Sequence, residues 1–303
     1  MTTMGGFDQV PLGRRWLGFC FALTAALCYS TGTIFASTVF ESGANAQTLV
    51  TVRASIVLPA ILLYAALARR AIMLPKRERT FALALGVVTA FQQLCFYMSI
   101  ERIPVSLAIL CEYLYPMIVL ISMRILFGET LTALKIGCIV AATAGVAIAL
   151  QVDMDKLKLW GVLFAFGSAI GASIRLIANG LLLRSADPIK LMVHMLVGIL
   201  VVFWPLFGAL GLLHFPQTKM GYAALIGMAV LNGAGTILAL TALKIIGPVR
   251  TAVAQTGEPL FTMAMAVVLL GEILTFQRAF GALLVIGALF ALQIARARRA
   301  GIA

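Results

Sequence analysis

The sequence predicts an all-α membrane protein. The expected fold is ten transmembrane helices in two inverted five-helix repeats, with both termini in the cytoplasm. Three observations carry this: an apolar composition, an internal repeat at one fixed offset, and a lopsided distribution of basic residues. Of the 303 residues, 62% are hydrophobic and 11% charged. Soluble domains carry about 25% charged residues, so this much apolar surface needs lipid as its solvent.

Ten apolar runs follow in order, at roughly 16–39, 48–68, 80–100, 104–126, 131–151, 159–183, 190–212, 220–243, 248–270 and 275–295. Most reach the ~20 residues that a helix needs to cross a bilayer core. Strands would be shorter and alternate in polarity, and only helices and closed barrels satisfy the backbone in lipid. No stretch reads as a cleaved signal peptide, because the first run already has spanning length.

The repeat is plain in the residues. Leu126-Phe-Gly-Glu-Thr-Leu-Thr132 returns as Leu269-Leu-Gly-Glu-Ile-Leu-Thr275, 143 residues later. The same offset carries Gly18 onto Gly161, Tyr115 onto Glu258 and Pro116 onto Pro259. The expected halves are residues 1–152 and 153–303, joined through Asp153, Asp155, Lys156 and Lys158. Five helices per copy is an odd number, so the second copy enters the membrane from the opposite side. Inverted repeats of this kind build many secondary transporters, with the substrate site near the midplane between halves.

The basic residues set the orientation. Sixteen lie in loops and ends on the side of the termini, five on the other side, and Arg53 and Arg175 lie within spans. Cytoplasmic loops collect lysine and arginine, so both termini are expected inside. The net charge of +12 is scattered over loops rather than gathered on a face with stacking aromatics, which argues against nucleic acid as a partner.

With these features the chain resembles the drug/metabolite transporter superfamily, specifically the EamA-type ten-helix transporters. The likeness rests on two five-helix halves and a proline in the fourth helix of each, Pro116 and Pro259. It rests also on the following Gly128-Glu129 and Gly271-Glu272, each with Leu-Thr two residues on. The resemblance implies export or uptake of small metabolites across a bacterial-type inner membrane. Tyr115 departs from it, standing where the pre-proline position usually holds Glu.

Charged groups at membrane depth cost about 2.5–3.5 kcal/mol on insertion scales, so each needs a reason. Glu112 and Glu258 lie inside the fourth and ninth helices. The repeat pairs Glu112 with Gln255, and Tyr115 with Glu258. Three residues apart on one helix, Glu112 and Tyr115 are expected on a common face, as are Gln255 and Glu258. Each half thus presents two polar groups just before a proline, which frees a backbone carbonyl one turn earlier. These four residues are the leading candidates for substrate binding or coupling. A carboxylate there could trade a proton for a cationic substrate group; the alternative is a structural hydrogen bond between helices.

Arg175, within the sixth helix, could bind a substrate carboxylate, balance a glutamate or cap carbonyls. Arg53, nearer a helix end, reads better as a snorkelling or locally paired residue. Gln92, Gln93 and Tyr97, with Phe96, form polar-aromatic stripes on the third helix suited to lining a cavity. Asn232, with Gly233 and Gly235, permits close packing or a local kink in the eighth. The hydroxyls of Ser30, Thr31 and Thr33 are expected to bond the preceding turn. Gly167 and Gly171 read as a packing motif and His194 as bonded to a neighbour. Glu129 and Glu272 are expected to be structural, each facing the next helix's N-terminus.

No catalytic group, cofactor or metal is expected. The five cysteines lie in apolar runs without CxxC spacing or a nearby histidine, and no GxxxxGK[ST], HExxH or GxSxG motif occurs. The function these features predict is a secondary transporter, an exporter, of small organic metabolites working by alternating access. Amino acids or related amphoteric solutes are the best-fitting cargo and protons the candidate coupling ion. Cationic drugs or amines, and a passive channel, are the alternatives; an intramembrane enzyme fits least.

Overall fold

A computed structural model describes residues 12–127, 132–150, 159–182, 186–255 and 257–299. Glu129 and the link carrying Asp153 to Lys158 lie outside the described residues. Every regular element in the described part is a helix: α1 Leu12–Glu41, α2 Ala46–Leu67, α3 Lys76–Ile100, α4 Val105–Glu112, α5 Tyr115–Phe127 and α6 Ala133–Leu150 in the first half. The second half has α7 Leu159–Leu182, α8 Pro188–Phe203, α9 Lys219–Gln255, α10 Glu258–Leu270 and α11 Phe276–Arg299. A π-helical turn, Trp204–Gly208, extends α8.

Seven helical stretches are long and apolar enough to cross a membrane, counting Val105–Leu126 as one, and three shorter apolar helices accompany them. Leucine, valine, phenylalanine and tryptophan side chains lie bare on the outside, among them Trp160, Val201, Val268 and Phe276. A soluble protein would hide these; lipid tails solvate them.

Local signals start and stop the helices. The Asn45 side chain accepts from the Thr48 N–H at 3.1 Å and opens α2. Asp187 does the same for α8, accepting from Ile189 and Lys190 with Pro188 as the first helical residue. Gly271, at φ 66°, takes the left-handed conformation that ends α10.

The helix boundaries themselves recur at the 143-residue offset. Lys76 opens α3 and Lys219 opens α9; Glu112 closes α4 and Gln255 closes α9. The segment α5 maps onto α10 at both ends, and Ala133 opening α6 maps onto Phe276 opening α11. Packing follows the same correspondence. Helix α1 lies on α9 and α10, while its counterpart α7 lies on α3, α4 and α5; α2 lies on α9, and α8 on α3. Most contacts therefore cross between halves. Small residues let the backbones close up, as in membrane bundles generally. A Cβ on Gly18 would stand 2.5 Å from the Ile246 side chain, and one on Gly161 would stand 2.7 Å from Ile103. These two contacts are the same contact in the 143-residue register. Gly145 and Gly281 close the α6–α11 pair backbone to backbone.

Two expectations about helix limits change. The fourth span keeps its expected extent, Val105–Leu126, but Tyr113 and Leu114 interrupt its helix between α4 and α5. The eighth and ninth spans were expected to be separated before 248, but the helical run α9 passes through that point and stops at Gln255. The chain still reverses there. Going from Gly221 to Ile246, α9 runs antiparallel to α1, from Ser42 to Gly18. By Gly257 it has returned to the level of Leu23, and Met265 meets Thr31. Gly247-Pro248 lies in this reversal.

One end of the bundle is tied by polar contacts between loops. Asn45 donates its side-chain amide to the Leu212 carbonyl at 2.8 Å, and the Gln217 N–H donates to the Ser42 carbonyl at 2.7 Å. Glu101 accepts from the Ala46 N–H at 2.7 Å and pairs with Arg102 at 2.8 Å. Glu272 completes this end. It accepts from the Val105 N–H at 2.7 Å and from the Ser106 N–H and hydroxyl. The carboxylate thus caps α4 in the opposite half, not the next helix as its sequence position suggested. An acid at a helix N-terminus meets both free N–H groups and the positive dipole end.

Candidate functional site

The interruptions fall at Tyr113–Leu114 in one half and at Gly257 in the other, directly before Tyr115-Pro116 and Glu258-Pro259. Glu112 is the last residue of α4 and Tyr115 the first of α5; Gln255 is the last of α9 and Glu258 the first of α10. All four leading candidates flank a helix break. The break separates Glu112 from Tyr115, and Gln255 from Glu258, so the members of each pair belong to successive helices rather than to one. Proline explains the breaks, since it has no N–H to continue the ladder and clashes with the preceding turn.

Each break is held by a serine of the opposite half. The Ser30 hydroxyl on α1 donates to the Glu258 carbonyl at 3.0 Å. The Ser173 hydroxyl on α7 donates to the Tyr115 carbonyl, also at 3.0 Å. Both donor and acceptor map onto each other at the offset of 143. Ser30 was expected to bond its own preceding turn; it reaches across the halves instead. Thr31 and Thr33 do bond their preceding turns, at Leu27 and Tyr29.

The side chains at the two breaks are not symmetric. Glu112 accepts from the Gln92 amide at 2.7 Å and from the Ser168 hydroxyl at 2.9 Å, and Gln92 also donates to Ser168 at 3.1 Å. A carboxylate at a helix C-terminus meets the negative end of the dipole, so it needs such donors. Glu258 starts a helix, where the dipole favours it, and accepts from the Tyr113 hydroxyl at 2.8 Å. Tyr113 and Tyr115 pack edge to face at 5.7 Å. Gln92, Tyr97 and Tyr113 are buried, whereas Glu112, Tyr115, Gln255 and Glu258 remain partly accessible.

A second polar group lies beside the first. The Arg53 guanidinium donates through one nitrogen to the Tyr97 hydroxyl at 3.1 Å and to the Asn232 side-chain oxygen at 3.3 Å. It also stands 5.9 Å from the Tyr97 ring centre. Gly32 makes room for this, because a Cβ there would lie 2.6 Å from the Asn232 amide nitrogen. Tyr29, three residues earlier on α1, donates to Thr236 at 3.2 Å. Arg53 is thus tied to two neutral partners inside the bundle, in place of the snorkelling or ion pair expected of it.

Arg175 is close enough to interact electrostatically with both Glu112 and Glu258. Its Nε is buried without a hydrogen-bond partner, as is the side-chain oxygen of Asn179 one turn on. The Gln92 and Gln93 side-chain oxygens are likewise buried without partners. Buried orphans of this kind are rare in finished cores and are what a bound solute or water would satisfy. Elsewhere, Gly167 and Gly171 pack against Cys95 and Gln92 of α3, and His194 bonds the Lys190 carbonyl at 2.8 Å. Among the described residues no cluster of ligands could hold a metal ion.

The EamA-like transporter family model matches the chain twice, over residues 16–151 and 159–293. The chain belongs to the EamA-like transporter family. The two matches start 143 residues apart, the offset of the sequence echo and of the helix boundaries. A protein of known crystal structure has the same fold at 17% identity and TM-score 0.65. That likeness covers 93% of this chain and 98% of the other. No curated protein matches the chain. As an EamA-like transporter this is a multi-pass membrane protein whose partners are a small solute and the lipid bilayer.

Sequence reasoning found the residues at the breaks because glutamate and proline stand out in an apolar run. It could have found Ser30 and Ser173, which share the repeat register. It missed Tyr113, Ser168 and the role of Arg53, whose repeat partners are Thr256, Ala25 and Leu196 and carry no echo.

Proposed function

We propose that this EamA-like transporter is a secondary active exporter of small amphoteric metabolites, amino acids being the best fit. It works by alternating access across an inner membrane, with proton coupling through the carboxylates at its helix breaks. The observation that carries the reading is the paired helix break. In both halves a fourth helix stops and restarts at a proline, and Glu112, Glu258 and Arg175 lie within electrostatic reach of one another around the breaks. Interrupted helices at mid-depth are where secondary transporters bind cargo. A carboxylate and a guanidinium there suit the ammonium and carboxylate of an amino acid.

The same reading takes the chain as two inverted five-helix repeats, 1–152 and 153–303. Counting α4 with α5, and the returning part of α9 with α10, gives ten passes with both termini in the cytoplasm. The loop charges support this orientation.

Counterflow in proteoliposomes tests the function. Amino acids should exchange saturably, and Glu258→Gln should flatten the pH dependence of transport. Exchange of quaternary amines without amino acids would favour the second reading, a cationic-amine exporter, which the two glutamates also suit. Single-channel currents without saturable exchange would defeat both.

A further inference from the structure

Arg53 and Arg175 are rooted in the backbone on opposite sides of the helix breaks. Three observations establish this. Helix α2 begins at the Glu272 end of the bundle, where Asn45 meets Leu212 and Ala46 meets Glu101. Arg53 lies seven residues inside it, ~10 Å deep at 1.5 Å per residue. Helix α7 begins at the same end, where Gly161 meets Arg102 and Ile103. Arg175 lies sixteen residues inside it, ~24 Å deep. Between these levels lie the breaks, since Ser30, which holds the Glu258 carbonyl, is eleven residues from the Glu272 end of α1, ~16 Å.

The two arginines are not repeat counterparts, but the register links their surroundings. Arg175 occupies, in the 143-residue register, the position of Gly32. Gly32 is the residue whose missing side chain admits Asn232, the partner of Arg53. One half therefore carries its cation on the long helix beside the break. The other half leaves that place to Asn232 of α9, which in turn accepts from Arg53 of α2. Both cations reach the same space: Arg53, Arg175 and Glu258 each interact electrostatically with Tyr29.

Neither arginine has an ion-pair partner among the described residues. Arg53 spends one nitrogen on two neutral acceptors, and Arg175 has its Nε buried with no acceptor at all. A guanidinium offers five donors in a planar fork that fits a carboxylate. Among the described residues neither fork is bridged directly to a carboxylate, although Glu112 and Glu258 lie within electrostatic reach of Arg175, so a cargo carboxylate would add the paired contact that fork geometry suits.

We propose that Arg53 is a second anchor for the carboxylate of the cargo, and that the carboxylate passes between Arg53 and Arg175 as access switches from one side of the membrane to the other. Arg53 meets cargo entering from the Glu272 end; Arg175 meets cargo entering from the opposite end. Tyr97 and Asn232 are positioning residues that hold the Arg53 fork beside Gly32. This rests on the transporter reading above and assigns it a substrate class, solutes bearing a carboxylate.

The test is sided transport. Wild-type protein is reconstituted and sorted into its two orientations by protease access to a terminal tag. Counterflow of an isotope-labelled amino acid mixture is read by mass spectrometry, with the corresponding amino acid amides as probes that lack the carboxylate. Arg53→Gln should raise the KM at the Glu272 face by about tenfold or more while changing the other face little, and Arg175→Gln should do the reverse. Arg53→Lys, which keeps the charge but not the fork, should recover only part of the loss. Equal effects of each variant on both faces, or amides carried as well as acids, would overturn the proposal while leaving transport intact. No saturable exchange of any probe by the wild type would overturn the transporter reading with it. Monodisperse elution and an unchanged melting profile confirm that the variants are folded.

Discussion

Tyr113 donates its hydroxyl to the Glu258 carboxylate at 2.8 Å, joining the break of one half to the break of the other across 145 residues of sequence. Tyr113 lies in the interruption after α4, and Glu258 is the first residue of α10. The bond therefore spans the interface across which the halves must move if cargo is to be released alternately to two sides.

Tyr113→Phe removes this donor and nothing else. Losing a hydrogen bond to a charged group costs about 1.5–3 kcal/mol, so transport should fall by at least about tenfold. The protein should stay folded, because the aromatic packing on Tyr115 is kept. Counterflow rates equal to wild type would show that the bond plays no part in the cycle.

Glu112 separates charge from hydrogen bonding. Glu112→Gln can still accept from Gln92 and Ser168, so the protein should fold normally, and any lost transport reports the missing carboxylate. Glu112→Ala strands both donors in the bundle and should cost about 1–3 kcal/mol of stability besides. Unfolding in denaturant, run beside the transport assay, distinguishes the two. Equal stability of both variants would mean that the Gln92–Ser168 pair does not depend on Glu112.

Glu272 caps the start of α4 from the far half. Glu272→Ala should destabilise the fold by about 1–2 kcal/mol, as loss of a helix cap does, and Glu272→Gln by less. Loss of transport at wild-type stability would instead assign this contact to the transport cycle.

Close packing between α3 and α8 rests on Gly86 and Gly198, which face backbone of Met195 and Leu83. A methyl group at either has no flexible neighbour to displace. Gly198→Ala should therefore lower yield and melting temperature, whereas Gly137→Ala, where nothing lies within 4 Å, should be neutral. Equal behaviour of the two would show that the helices are not packed this closely.

The residues Glu112, Tyr115, Gln255 and Glu258 were legible as candidates because charge, polarity and proline are conspicuous in a run that lipid should keep apolar. Their partners were not. Gln92, Ser168 and Tyr113 are ordinary polar residues tens to hundreds of positions away, and nothing in their own neighbourhood says which carboxylate they will meet. Arg53 was misjudged for the same reason. Its distance from a helix end suggested snorkelling, but the decisive fact is that Gly32 and Asn232, on two other helices, leave a place for its guanidinium.

By itself the sequence determined the all-helical membrane character, the two copies and their register. These follow from local composition and from an offset that covalent duplication preserves. Tertiary structure decided where the helices before Pro116 and Pro259 stop, which carbonyls Ser30 and Ser173 hold, and which helix Glu272 caps. Those outcomes depend on contacts between the halves. A register repeated along the chain states that two segments are alike, but only packing states that each segment is completed by the other.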